Sequence, residues 1–292
     1  MGFKIVSYKY LIRKVYDKCF ELVGSLPVGI CIVIKSKKCG FFGDLAQTLN
    51  GIRFAEQAGI DCQVYWDKRS LYFDERQGCN VWDYYFNNSR FTFSRKRRYR
   101  LNFSIAYYPS AFGFPCYPGL SVKDSTCFAI SRFCILRQDI FDDIETYVQQ
   151  NFTPTVLGVH YRGTDAIAGY EGRSTPTVDK LVLLITEMLS SKQFGSIFLA
   201  SDDSNAVEIL TETFGSIIHF KNCLRSIDGR SIHGHYDKGI DGSGYQKGYE
   251  VLVDACILSR CDVLLHAGSR VVWFASSKES KLILVNVKDL TS

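Results

Sequence analysis

The sequence contains no C-x-x-C pair, no low-complexity tract, no long run of one charge and no stretch of ~18 uncharged apolar residues. The last absence excludes a helical membrane span or a membrane-anchored stalk, so no stable membrane insertion is expected. The opening segment, MGFKIVSYKYLIRKVYDKC, is interrupted by lysine and arginine every few positions and does not read as a signal peptide. The 11 cysteines are odd in number and scattered, several inside apolar runs such as CIVI and FCIL, where a reduced thiol behaves as a small hydrophobe. A reducing, cytoplasmic location is the expectation. His219, Cys223, His233, His235, Cys256, Cys261 and His266 invite a zinc reading, but none falls in a metal-ligand frame. A strong basic stripe is missing as well. Net charge is only +5, which suits an anionic ligand such as a nucleotide and argues against nucleic acid as a partner. The one basic run, Arg95 to Arg100, reads first as a solvated helix face, with contact to an anionic acceptor or to nucleic acid as alternatives.

What is present is a globular composition, 46% apolar and 22% charged over 292 residues, enough for two domains of ordinary size. Gly29 to Lys35 reads as a buried strand, GFFGDLAQTLNGIRFAEQAG as a glycine turn and a helix that Asp44 can cap, and DCQVYWD as the next strand. That βαβ unit predicts an open parallel sheet in the first half. Residues 66 to 120 are dense in aromatics and broken by proline. Loops and short helices are expected there, with the rings either packed as core or lining a sugar groove. Asp139 to Gln150 has helical spacing, and the polar break from Asn151 to Pro154 sets the expected boundary between residues 1–152 and 153–292.

The second half repeats the strand, loop, helix theme. LGVHYRGTD, SIFLASDD and DVLLHAGSR are apolar runs that each end in a polar cluster: His160, Arg162 and Asp165; Ser201, Asp202 and Asp203; His266, Gly268, Ser269 and Arg270. In a parallel sheet all three ends lie along one edge, where open α/β sheets hold their ligands. Arg162 can fork onto two phosphate oxygens. Each group also has a plain structural reading: a core histidine at 160, a surface acid at 254, a helix cap at 269, or an ion pair of Arg162 with Asp165 or Asp202.

With these residues assembled, residues 156–278 resemble the GDP-fucose-dependent fucosyltransferase superfamily, which includes the α1,6-, nodulation-factor and protein O-fucosyltransferases. His160, Arg162, Thr164 and Asp165 match its first motif, Ala200, Ser201, Asp202 and Asp203 its second, and Asp254, Leu258, Ser259, Asp262 and Ser269 its third. The resemblance implies an α/β, GT-B architecture, two Rossmann-like domains with a cleft between them, the first on the acceptor side and the second binding the nucleotide-sugar donor. It implies an inverting glycosyltransferase that moves L-fucose from GDP-fucose to a glycan acceptor. Arg162 would hold the β-phosphate and His160 and Asp254 the nucleoside. Gly268 and Ser269 would offer N–H and hydroxyl groups to the phosphates, and Asp203 joins the donor-binding set. No metal is expected, in keeping with the missing D-x-D pattern. The base that takes the acceptor proton would be Glu171 or Asp165. A transferase using another nucleotide sugar, or a non-catalytic nucleotide-sugar or glycan-binding protein, remains the alternative.

Overall fold

The structure is a computed structural model that describes residues 29–93, 100–105, 116–164, 175–229, 232, 244–279 and 281–290, of which 29–30 and 100–105 in backbone only. The chain forms two compact units, Met1–Leu136 and Arg137–Ser292. Both are α/β.

In the first unit, β1 (Gly29–Ile34) leads into α1 (Phe41–Gln57) and then β2 (Asp61–Val64), the expected βαβ unit. With β3 (Arg90–Phe91) and β4 (Arg100–Ile105) these strands form a sheet ordered β3-β2-β1-β4, in which only β3 runs antiparallel. Asp44 does not cap α1. The helix starts at Phe41 after Gly40, and the buried Asp44 carboxylate instead accepts from the Ser36 hydroxyl at 2.5 Å and the Lys37 N–H at 2.8 Å. It therefore pins the loop between β1 and α1. The aromatics after β2 are core. Phe41 meets Trp66, Tyr72 and Tyr85 edge-on with centroids 5.1 to 5.9 Å apart. Their polar ends are met inside the protein, Trp66 Nε1 by Thr48 Oγ1 at 3.0 Å and Tyr84 Oη by the Asp74 carbonyl at 2.8 Å. The unit closes with α2 (Val122–Phe133), while most of the basic run, residues 95–99, lies outside the described residues.

The second unit begins with α3 (Gln138–Asn151), so the expected break at 152–153 falls at the far end of a helix that packs forward onto this unit: Tyr147 and Phe152 contact Phe198, with centroids 5.7 and 6.2 Å away. The chain then runs β5 (Val156–Tyr161), α4 (Val178–Ser191), β6 (Ser196–Ser201), α5 (Ser204–Phe214), β7 (Ile218–His219), α6 (Gly244–Leu258), β8 (Val263–His266), α7 (Arg270–Lys278) and β9 (Ile283–Asn286). All five strands are parallel, in the order β7-β6-β5-β8-β9. The chain winds outward from β5 to β7, returns through α6, and winds outward again through β8 and β9. This makes a doubly wound sheet with its topological switch point between β5 and β8.

One face buries Leu157, Val159 and Tyr161 against Leu181, Leu184 and Ile185 of α4 and Ala206 and Leu210 of α5. On the other face, a Cβ at Gly158 would lie 3.0 Å from Cys261 Sγ and 3.3 Å from Leu258 Cδ2, so the end of α6 is pressed directly onto β5. His160 follows Gly158 by two residues and projects from that same α6 face. The Asp262 carboxylate accepts the Val156 N–H at 2.7 Å. This motif residue thus locks the amino ends of β8 and β5, opposite the ligand edge. No helix among the described residues is long and apolar enough to cross a membrane.

Candidate functional site

The carboxyl edge of the second sheet brings the polar strand ends together. In register across it stand Ala200, His160, His266 and Asn286, one from each of β6, β5, β8 and β9. Burial, followed by the Arg162 charge and His266, holds the His160 imidazole down at about 3, so it is neutral at physiological pH.

Beyond β5 the chain turns at Arg162-Gly163-Thr164, and Asp202 organises that turn. Its Oδ1 accepts the Gly163 N–H at 2.9 Å and its Oδ2 accepts the Thr164 hydroxyl at 2.7 Å, while Arg162 Nε stands 3.9 Å from Oδ2. Asp202 is held in turn because its carbonyl accepts the Ser226 N–H at 2.8 Å. The Arg162 side chain keeps 32% of its surface accessible. Asp203 plays a different part: Oδ1 caps α5, accepting from Asn205 N and Ala206 N at 3.0 and 3.4 Å. A Cβ at Gly163 would lie 2.1 Å from Asp203 Oδ2. A side chain at 163 is therefore incompatible with the capped helix, whatever the backbone angles.

On the other side of the switch point, Gly268 takes φ +89° and turns β8 into α7, and the Ser269 hydroxyl caps that helix by accepting the Val272 N–H at 3.2 Å. The amino end of α7 therefore carries backbone N–H groups and a hydroxyl proton for an anion.

Asp254 belongs to a second cluster on the same face. Burial pushes its carboxyl up to about 7, with Arg225 and Lys221 pulling it down and Glu250 pushing it up. The segment 221–225 that supplies those cations is tied in place. Arg225 donates to the Cys223 and Lys221 carbonyls at 3.3 and 2.6 Å, and Glu250 accepts the Leu224 N–H at 3.0 Å. Asp143 accepts from Lys221 Nζ at 2.8 Å and from Tyr249 Oη at 2.6 Å, linking α3 to α6. The Tyr147 hydroxyl beside Asp254 is buried without a hydrogen-bond partner among the described residues.

The structure thus brings His160, Arg162, Gly268 and Ser269 to one edge, places Asp254 in the adjoining cluster, and gives Asp203 a capping role. Asp165 and Glu171 lie outside the described residues. The sequence placed Asp202 and His266 in the strand-end clusters without giving either a binding role of its own, and it did not single out Tyr147 or Arg225. Asp202 had a signal in its place beside Asp203 at a strand end, whereas Tyr147 and Arg225 had none. Among the described residues no group of three or more His, Cys, Asp and Glu side chains is arranged to hold a metal ion.

No protein-family model matches the sequence, and no curated protein matches it. Solved structures do. The NodZ α-1,6-fucosyltransferase soaked with GDP-fucose aligns with TM-score 0.60 over 88% of this chain and 96% of its own, at 14% identity. The chain shares the fold of that protein. The fucosyltransferase NodZ from Bradyrhizobium aligns with TM-score 0.56 at 14% identity, covering 84% of this chain and 91% of its own. POFUT1 in complex with GDP-fucose aligns with TM-score 0.54 at 11% identity, covering 89% and 98%. The likeness therefore runs through nearly the whole length of both kinds of fucosyltransferase and is carried by fold, since so few residues are shared.

Proposed function

We propose that the chain is a GT-B, inverting, metal-independent glycosyltransferase that transfers L-fucose from GDP-fucose to a glycan hydroxyl. The observation that carries this reading is the Arg162 turn, clamped by Asp202 at the switch point and lying on the same sheet edge as the amino end of α7. It offers a guanidinium fork and helix N–H groups, the chemistry that binds a diphosphate. The two fucosyltransferases of the same fold were solved with GDP-fucose.

Asp254 supports the choice of base. A buried carboxylate needs donors, and guanine is the common base that presents two adjacent ones, N1–H and the 2-amino group; adenine, cytosine and uracil have no such pair. Neutral His160 would meet the nucleoside, Arg162 the β-phosphate, and Gly268 and Ser269 the phosphate oxygens. In the transfer step the acceptor oxygen bonds to the anomeric carbon as the bond from that carbon to the β-phosphate oxygen breaks. The acceptor proton passes to Glu171 or Asp165, and GDP departs with its new charge held by Arg162 and the α7 amino end. That pairing of charges is the support for metal independence.

Arg162→Ala tests it. Removing a guanidinium that meets developing phosphate charge costs ~2–4 kcal/mol of transition-state stabilisation, about 30- to 1000-fold in turnover of GDP-fucose. Folding should be little changed, because the Arg162 side chain is one-third exposed and ion pairs at such sites contribute little to stability. Near-wild-type transfer by this variant would remove the assignment.

A further inference from the structure

His266 ends β8 at the switch point, is only 7% exposed, and neither of its ring nitrogens has a hydrogen-bond partner among the described residues. An aliphatic side chain would fill such a place without leaving two polar atoms unsatisfied. Burial lowers its pKa, so the ring is neutral, with one N–H and one lone pair. Its partner in register on β5 is His160. Neighbouring strands lie ~4.8 Å apart and paired residues project to the same face, so the two imidazoles stand side by side over the α6 face. The charged groups that act on the pair are Arg162, beyond His160, and Asp289 on the turn after β9, which acts on His266.

We infer that His266 is a positioning residue of the donor site: with a nucleotide in place its lone-pair nitrogen accepts the N–H of His160, which fixes His160 as an acceptor toward the ligand. The Asp289 carboxylate favours the tautomer that keeps the His266 N–H on its own side, leaving the lone pair toward His160. In the free chain this bond is not made: the His160 ring is bonded to its own main chain, and both His266 nitrogens lack a partner among the described residues. Donor binding, by holding the His160 ring, completes it. The polarity is then set from the protein outward, and the group against His160 must donate. A diphosphate has no proton to give at neutral pH, so His160 meets a nucleoside hydroxyl or N–H while Arg162 takes the phosphates. The inference rests on the donor-site reading only in requiring that a nucleoside diphosphate lie against His160.

The test compares wild type with His266→Leu and His266→Gln, measuring thermal unfolding without ligand and GDP affinity by calorimetry. His266→Leu, freed of idle polar atoms, should melt at or above the wild-type temperature yet bind GDP about five- to tenfold more weakly, one hydrogen bond's worth. His266→Gln, which keeps an acceptor, should recover most of that affinity. If His266→Leu does not fold, His266→Phe, closer in shape to imidazole, carries the same expectation. Unchanged GDP affinity in a folded apolar variant overturns the inference, and so does a parallel loss of stability and affinity that His266→Gln does not restore. A wild-type chain that binds UDP in place of GDP overturns the GDP reading alone, and the same two outcomes are then read with UDP.

Discussion

Asp254→Asn exchanges the titrating carboxyl of α6 for an amide of the same shape. Moving a carboxyl from 3.8 to about 7 corresponds to about 4 kcal/mol at 1.36 kcal/mol per pKa unit, and to about half that once the partial exposure of the side chain is allowed for. The sign follows from which state holds the proton. Below pH ~4 the carboxyl is neutral whether folded or unfolded, and it adds no pH dependence. Between ~4 and ~7 only the unfolded chain ionises, so stability falls as pH rises, and above ~7 the penalty is constant. His160 works in the opposite sense. With a folded value of about 3 against an ordinary 6.5, its penalty is absent above pH 6.5 and grows as pH falls. In the wild type the two slopes oppose each other from pH ~4 to ~6.5, and Asp254→Asn exposes the His160 slope alone. Calorimetric melting of both proteins from pH 4.5 to 8.5 should show the variant gaining on the wild type up to pH ~7, by about 2–4 kcal/mol in all, and then holding level. A difference independent of pH would mean that Asp254 titrates as an ordinary surface acid and that its burial does not shape the site.

Gly163→Ala should weaken GDP binding and lower the melting temperature together, by roughly 1–3 kcal/mol in stability, because the new methyl would lie 2.1 Å from Asp203 Oδ2. Thermal unfolding with and without GDP checks it, and a variant as stable and as active as wild type would contradict the packing. GDP affinity should also fall as pH drops below ~7, approaching tenfold per pH unit, since guanine's donors need Asp254 ionised. Titration calorimetry between pH 5.5 and 8 is the measurement; a flat profile would place the base away from Asp254.

Much of this was readable in the residues. The run from Val156 to Tyr161 announces a buried strand, and the change to His, Arg, Gly and Thr marks where it leaves the core. The polar ends of β6 and β8 are equally plain, so convergence on one edge needed only the parallel-sheet rule. The roles inside the edge were hidden. Asp202 and Asp203 are adjacent identical residues, yet one braces the Arg162 turn and the other caps α5, and only the path of the backbone separates them. Ser269 is both a helix cap and a phosphate candidate, readings that the sequence holds as alternatives and the geometry makes compatible. His266 owes its interest to pairing with His160 across 106 residues of chain, and strand register is not written in local pattern. The boundary is similar. The polar break after Asn151 was visible, but the packing of Tyr147 on Phe198, which sets α3 within the second unit, depends on contacts distant in sequence.

In the proposed function the second unit binds a guanosine diphosphate through Arg162, the α7 amino end and Asp254. Thermal melting of the wild-type protein with GDP, UDP, TDP and ADP, each at about 100 times its expected dissociation constant, tests it most directly. GDP alone should raise the melting temperature, by the few degrees that ~2.7 kcal/mol of ligand stabilisation produces. Stabilisation by UDP and not by GDP, or by none of the four, would contradict it.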